Sequence, residues 1–346
     1  MNVKKLFSII AVARIVIASI VGTFVYFKAF TANTKFVQDE VFVFIPTDAF
    51  YEEVKEIVAP LLKDLDKFNF VATSRNYATN IKPGKFLLKK NMTSFDIVRS
   101  LRLNVPVKVA FNNQETLGKL VQRLATQLEP DSLKLEVAFT NTPFLEENNL
   151  TEATILTLFI PNTYEFYWNT KAEKIAQKLA KEYSLFWNNE RLAKAKAKNL
   201  TPIQVYILAS IVHKETAKID ERPTVAGVYL NRLQQDMPLQ ADPTVIYAIK
   251  KRSGDFDQEI KRVFYNDLRI NSPYNTYTNK GLPPGPIAMP DVSAIDAVLN
   301  AVNHEYIYFC ANPDKPGYHA FASTYEAHQL NAKKYANWLS KLGINR

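Results

Sequence analysis

Cysteine is nearly absent: Cys310 is the only one in 346 residues. An internal disulfide is therefore impossible, and zinc sites that need several thiolates are excluded. Its setting, YIYFCAN, reads as a core strand and predicts a buried, inert thiol. Glycine is scarce too, with 9 residues against 22 phenylalanines and 17 tyrosines, so well-filled interiors and few glycine-dependent loops are expected. The glycine-based phosphate loops are missing, as are GxSxG and HExxH. The histidines, His213, His304, His319 and His328, are spread out. His213 and Glu215 form an H-x-E, but no cysteine pair completes a zinc deaminase signature. Neither a metal nor an organic cofactor is expected. There is no internal repeat and no low-complexity tract.

Positive charge is in excess, at +9 with pI about 9.3. Such a balance suits nucleic acid, an anionic membrane surface or an anionic polymer. No helix-turn-helix, zinc-finger or RNA-binding signature accompanies it, so nucleic acid is not expected as a partner. Leu6 to Phe27 is a nearly continuous apolar run flanked by Lys4, Lys5 and Lys28. It is long enough to cross a hydrocarbon core of about 30 Å. Arg14 near its middle costs about 2.5–3.5 kcal/mol on insertion scales, which the surrounding Ile, Val, Leu and Phe offset. A cleaved signal peptide is the alternative, but the length and the lack of a small-x-small site point to a retained anchor. Lys4 and Lys5 place the amino terminus in the cytoplasm, and so the rest outside the cytoplasmic membrane.

Behind the run, Val41 to Ile45 reads as a strand, Phe50 to Leu65 as a helix, Phe68 to Ala72 as a second strand and Phe86 to Leu88 as another. Helices are expected over 94–103 and 116–128, with a strand over 105–111 between them. Phe159 to Phe166 reads as an aromatic-rich turn. Asp242, with Pro243 behind it, has the form of a helix N-cap, and Ser323 with Glu326 caps a last helix running to Leu342. Residues 281–290, GLPPGPIAMP, form a stiff loop because proline fixes φ.

The stretch from Thr201 to Pro223 carries the chemistry. Thr201 and Gln204 make a capping box, with Pro202 at the first helical position. Ile207, Leu208, Ile211 and Val212 form an apolar stripe, and Glu215 prolongs that face. A carboxyl held against apolar neighbours is poorly hydrated when charged, so its pKa rises and it keeps a proton near neutral pH. The plain alternative is that Glu215 pairs with Lys214 or Lys218 at a helix end. Downstream, LQADPTVIY, SPYNTYTNKGLPPGPIAMP and GYHAF gather amides, hydroxyls and rings. That inventory suits sugars, although the tyrosines also fit a core and Asn275 a turn.

LASIVHKET at 208–216, followed by ERPTVAGVYLNRL, LQADPTVIYAI, SPYNTYTNKGLPPGPIAMP and HAFASTYEAH, resembles the YceG-like family, the MltG-type endolytic murein transglycosylases. PNTYEFYW upstream resembles a further block, and Lys82–Leu103 resembles the LysM-like module weakly. The resemblance implies an α+β fold in a fixed order. A tail (1–5), a transmembrane helix (6–27) and a linker (28–40) precede a LysM-like module (41–104) and a YceG-like catalytic domain (105–346). It implies Glu215 as catalytic acid and base. Gln240, Asp242, Tyr274, Asn275, Thr276, Tyr277 and His319 match positions lining the sugar cleft. The implied substrate is the peptidoglycan glycan strand, cut between N-acetylmuramic acid and N-acetylglucosamine to leave a 1,6-anhydro end. The muramic 6-hydroxyl is then the nucleophile, so one carboxylate suffices where glycosidases use two. Residues 6–27 would hold the protein in the cytoplasmic membrane, with peptidoglycan synthases as candidate partners.

Three positions depart from the family's pattern. His213 stands where an acidic residue is common, Met289 replaces a small or polar one, and Asn113-Gln114-Glu115 replaces a glutamate-glycine pair. A non-catalytic peptidoglycan-binding scaffold remains a rival, as does a hydrolase using Glu215 with Asp242.

Overall fold

The computed structural model describes residues 3–341. The expected helix end at Leu342 and the first two residues of the expected tail lie outside the described residues. The chain divides into two compact units, one built mainly from residues up to Val109 and the other mainly from Ala110 onward.

The first unit begins with α1 (Val3–Ala29), a helix long and apolar enough to cross a membrane. Its far end packs on the unit, with Phe24 against Phe70 and Phe30 against Phe95. Then follow β1 (Glu40–Ile45), α2 (Tyr51–Val58), α3 (Leu65–Ser74), β2 (Gly84–Lys89) and α4 (Ser94–Ser100). β1 and β2 pair antiparallel, Val43 opposite Phe86. Val43, Val54, Phe68, Phe86 and Ile97 meet in one core. The strand expected at Phe68–Ala72 is instead the middle of α3. Asp64 accepts from the Lys67 N–H and starts a helix whose Phe68, Val71 and Ala72 face inward at helical spacing. Residues 127–130 and 164–171 return to this unit, where Thr47 donates to Glu129 from both its N–H and its hydroxyl.

The chain continues through β3 (Pro106–Phe111), α5 (Leu117–Ala125), α6 (Ser132–Thr140), α7 (Thr142–Glu147), β4 (Asn162–Tyr167), α8 (Ala172–Phe186) and α9 (Asn189–Ala197). β3 and β4 form a two-stranded sheet. The aromatic turn expected at Phe159–Phe166 is therefore half strand. Tyr164 and Phe166 alternate inward with period two, a pattern the clustered rings obscured.

The core of the second unit surrounds α10 (Pro202–Glu215), against which pack α11 (Arg222–Gln234), α12 (Asp242–Ser253) and α13 (Val292–Leu299). The hairpin β5 (Tyr308–Ala311) and β6 (His319–Ala322) and the helix α14 (Tyr325–Lys341) complete it. Thr324, one residue beyond the expected Ser323, accepts from Ala327 at the start of α14. The proline-rich loop is stapled to α10, since the Ile287 N–H donates to the Ser210 hydroxyl at 3.1 Å. A side chain at Gly285 would collide with the Ala153 carbonyl, so only glycine permits that approach. Elsewhere the scarcity of glycine is met by asparagine: Asn76, Asn91, Asn149 and Asn199 all take left-handed backbone.

Candidate active site

α10 is capped as its sequence predicts. Thr201 and Gln204 exchange side-chain-to-backbone bonds of 2.8 and 3.2 Å. Every residue from Val205 to Val212 is buried, so the helix is enclosed on all sides and not on one stripe alone. Glu215 is its last residue. The carboxyl accepts a 2.9 Å bond from the Tyr229 hydroxyl. Its pKa is pushed up to about 7, first by burial, with the Asp242 charge adding to the rise. The Tyr229 bond and the Arg232 cation oppose it. The negative end of the α10 dipole acts in the same direction as burial. Part of the residue nevertheless reaches the surface, which gives the proton an exit. The alternative of a lysine pair fails, because Lys214 turns away and bonds Glu115 at 2.7 Å, and Lys218 lies over the Tyr318 ring at 5.2 Å.

Two cavities share Glu215, Asp242 and Tyr277 as a common wall. The smaller, about 330 Å³, is lined by Arg232, Gln240, Phe309, Cys310 and His319 among others. The larger, about 960 Å³, opens past Ile246, Phe264, Tyr265 and His328. Together they make a groove with Glu215 between its arms.

Five of the expected site residues thus meet. Gln240 is held in left-handed backbone at φ 52°, its N–H donating to the Thr276 carbonyl. That conformation is uncommon for a residue with a side chain and marks a position fixed by its surroundings. Asp242 is not the N-cap of α12. Ala241 occupies that place, and the Asp242 carboxylate instead accepts from the Tyr277 hydroxyl at 2.6 Å. His319 is pinned by the buried carboxylate of Glu221, which takes its N–H at 2.6 Å and lies 2.8 Å from Nδ1.

Tyr274, Asn275 and Thr276 stand apart from Glu215. Tyr274 lies against Tyr247, with ring centroids 4.7 Å apart. Asn275 is fully buried and donates to the Leu268 and Ile270 carbonyls. Thr276 accepts from the Ala241 N–H and bonds Thr244 at 2.8 Å. They brace the loop that presents Tyr277. Sequence reasoning missed Tyr229, Arg232 and Glu221. Tyr229 and Arg232 are seven and ten residues beyond Arg222 on α11, buried polar groups in an otherwise apolar run, which was the available signal. Cys310 is half-buried in the smaller cavity wall, where burial pushes its thiol pKa up. His213 Nδ1 lies 3.3 Å from both the Asp291 carboxylate and the Arg222 guanidinium, and its pKa is lowered, chiefly by burial. Among the described residues no cluster of three metal-ligating side chains occurs.

The fold and site define a class: an α+β protein with one proton-holding carboxyl on the floor of an open polar groove. The chain belongs to the YceG-like family, whose family model matches residues 43–334. It is similar to a protein of Streptococcus pneumoniae (strain ATCC BAA-255 / R6) named endolytic murein transglycosylase. They share 28% identity over 306 residues, which is 78% of this chain and 53% of that one. A Bacillus subtilis (strain 168) protein of the same name is 31% identical over 232 residues, 67% of this chain and 61% of that one. The chain thus spans between half and two thirds of the length of these relatives. A crystal structure of a yceG-like protein from Listeria monocytogenes superposes with TM-score 0.55 at 26% identity, over 84% of this chain and 98% of that one.

Proposed function

We propose that this chain is a membrane-anchored endolytic murein transglycosylase acting on nascent peptidoglycan strands. The observation that carries the reading is Glu215, protonated near neutrality yet open to a groove. In the proposed reaction its carboxyl protonates the oxygen linking N-acetylmuramic acid to N-acetylglucosamine, and the bond from the anomeric carbon to that oxygen breaks. The muramic 6-hydroxyl then bonds to the same anomeric carbon and gives its proton to the Glu215 carboxylate. The acid is restored, no water is consumed, and a 1,6-anhydro end remains. Tyr229 holds the carboxyl in place through both halves. Gln240, Asp242, Tyr277 and His319 supply hydrogen bonds to sugar hydroxyl and acetamido groups.

Residues 41–104 are read as a LysM-like module and 105–346 as the catalytic domain. α1 fits a single-pass anchor; an amino terminus in the cytoplasm and a catalytic domain outside it follow from Lys4 and Lys5. Recruitment by peptidoglycan synthases belongs to the same proposal.

The test is digestion of uncrosslinked glycan strands by the full chain in detergent, read by mass spectrometry. Anhydro ends are expected, and Glu215→Gln should lower their release by at least about 100-fold while the protein stays folded. An equally active variant would end the proposal. One observation supports a second reading: Asp242 shares both cavities with Glu215, a pairing that would suit a hydrolase and leave reducing ends. Unaltered glycan would mark a binding scaffold.

A further inference from the structure

The two arms of the groove differ in charge. The smaller arm holds Arg232, whose guanidinium is occupied by the Ile307 and Leu239 carbonyls at 2.6 and 2.7 Å. The larger arm is lined by Lys214, Lys261, Arg262 and His328, and beyond the shared Glu215 and Asp242 it has no carboxylate in its wall among the described residues. Lys214 is already committed to Glu115. Lys261 is exposed and only loosely paired, 3.6 Å from an equally exposed Glu259. Arg262 lies over the Phe264 ring at 5.4 Å and has no ion pair among the described residues. Beside these cations stand Phe264 and Tyr265, 61% and 90% exposed, an unusual state for large rings. The His328 ring is stacked on Tyr308 with centroids 5.1 Å apart.

This geometry points to an anion-binding subsite for the peptide side of the strand. Resting on the transglycosylase reading, we infer that the larger arm binds the carboxylates of the stem peptide borne by muramic acid. Lys261 and Arg262 meet the peptide carboxylates. Phe264 and Tyr265 cover the sugar faces beside them. Glycan stripped by an amidase keeps one carboxylate per muramic acid, on its lactyl group, but loses the peptide carboxylates farther from the ring, to which this arm presents its cations. The subsite therefore makes the enzyme prefer strands that still carry peptides. Sequence reading passed over the segment 261–265 because it belongs to no helix or strand.

The test uses the full chain in detergent on uncrosslinked strands, either intact or stripped of peptides by an amidase. The ratio of kcat/KM for the two is the readout. Charge reversal, Lys261→Glu with Arg262→Glu, should lower that ratio about fivefold, the scale of two exposed ion pairs. The swap Lys261→Arg with Arg262→Lys should keep it, and high salt should erase the preference in the wild type. Co-sedimentation of Glu215→Gln protein with both strands repeats the comparison without turnover. An unchanged ratio after charge reversal overturns the subsite, as does an equal loss on both strands. If wild-type protein yields no anhydro product but sedimentation still follows the charges, the subsite stands and the transglycosylase reading falls.

Discussion

At the residue scale, everything turns on one proton. Two neighbours push the Glu215 pKa in opposite directions, so they should separate in a pH–rate profile. Tyr229→Phe removes a hydrogen bond that stabilises the carboxylate, so the alkaline limb should move above pH 7. Asp242→Asn removes a repelling charge, so that limb should move below it. Shifts in one direction for both would contradict the electrostatic account. Stability carries the same signature. Glu215 binds its proton more tightly folded than unfolded, so its contribution is full below about 4.5 and is lost as pH rises through about 7. Gln has no proton to lose. Glu215→Gln should match the wild type at pH 4 and exceed it by about 1–3 kcal/mol at pH 8, measured by denaturant melts. A gain of equal size at both pH values would argue for a packing effect. The face of α10 that carries Glu215 was legible because helical spacing is a local property. Tyr229 and Arg232 were not, because their meeting with Glu215 depends on how α11 crosses α10.

At the scale of elements, the loop before Tyr277 is the instructive case. SPYNTY reads as a sugar-binding cluster, but Asn275 spends its donors on the Leu268 and Ile270 carbonyls, and its Oδ1 accepts from the Tyr277 N–H at 3.0 Å. Thr276 in turn ties that loop to the start of α12. Asn275→Ala should therefore cost about 2–4 kcal/mol of stability, seen as a lower Tm. Glycan affinity of the fraction that remains folded should be little changed. A large loss of affinity without a loss of Tm would return Asn275 to the sugar cleft. The α3 and β4 misreadings have one cause. Short apolar runs fit either period, and only packing partners choose between them. The cap at Thr201 was legible because it is decided within three residues, whereas those read at Asp242 and Ser323 each fell one residue from the actual cap.

At the scale of the whole molecule, α1 sets the address. Its apolar side chains from Leu6 to Phe27 are almost all exposed, which in water would be unfavourable and in lipid is the expected state. With the carboxy-terminal unit on the outer side, protease added to spheroplasts should digest it while an amino-terminal tag stays protected. Protection of the catalytic unit would reverse the orientation proposed from Lys4 and Lys5. The sparse glycine content also acts at this scale. Asparagines end several helices in left-handed backbone, and the glycine at 285 is kept where a backbone approach leaves no room.

The sequence by itself determined what depends on neighbours along the chain: the apolar span, the capped helix, the face that carries Glu215 and the motif blocks of the family. Tertiary structure alone decided which polar groups surround the carboxyl. It moved Asn275 and Thr276 into the scaffold, freed Asp242 from capping, and brought His328 and residues 261–265 into the groove. The physical reason is that a pKa and a cleft arise from groups far apart in sequence, whose distances only the packing of helices sets.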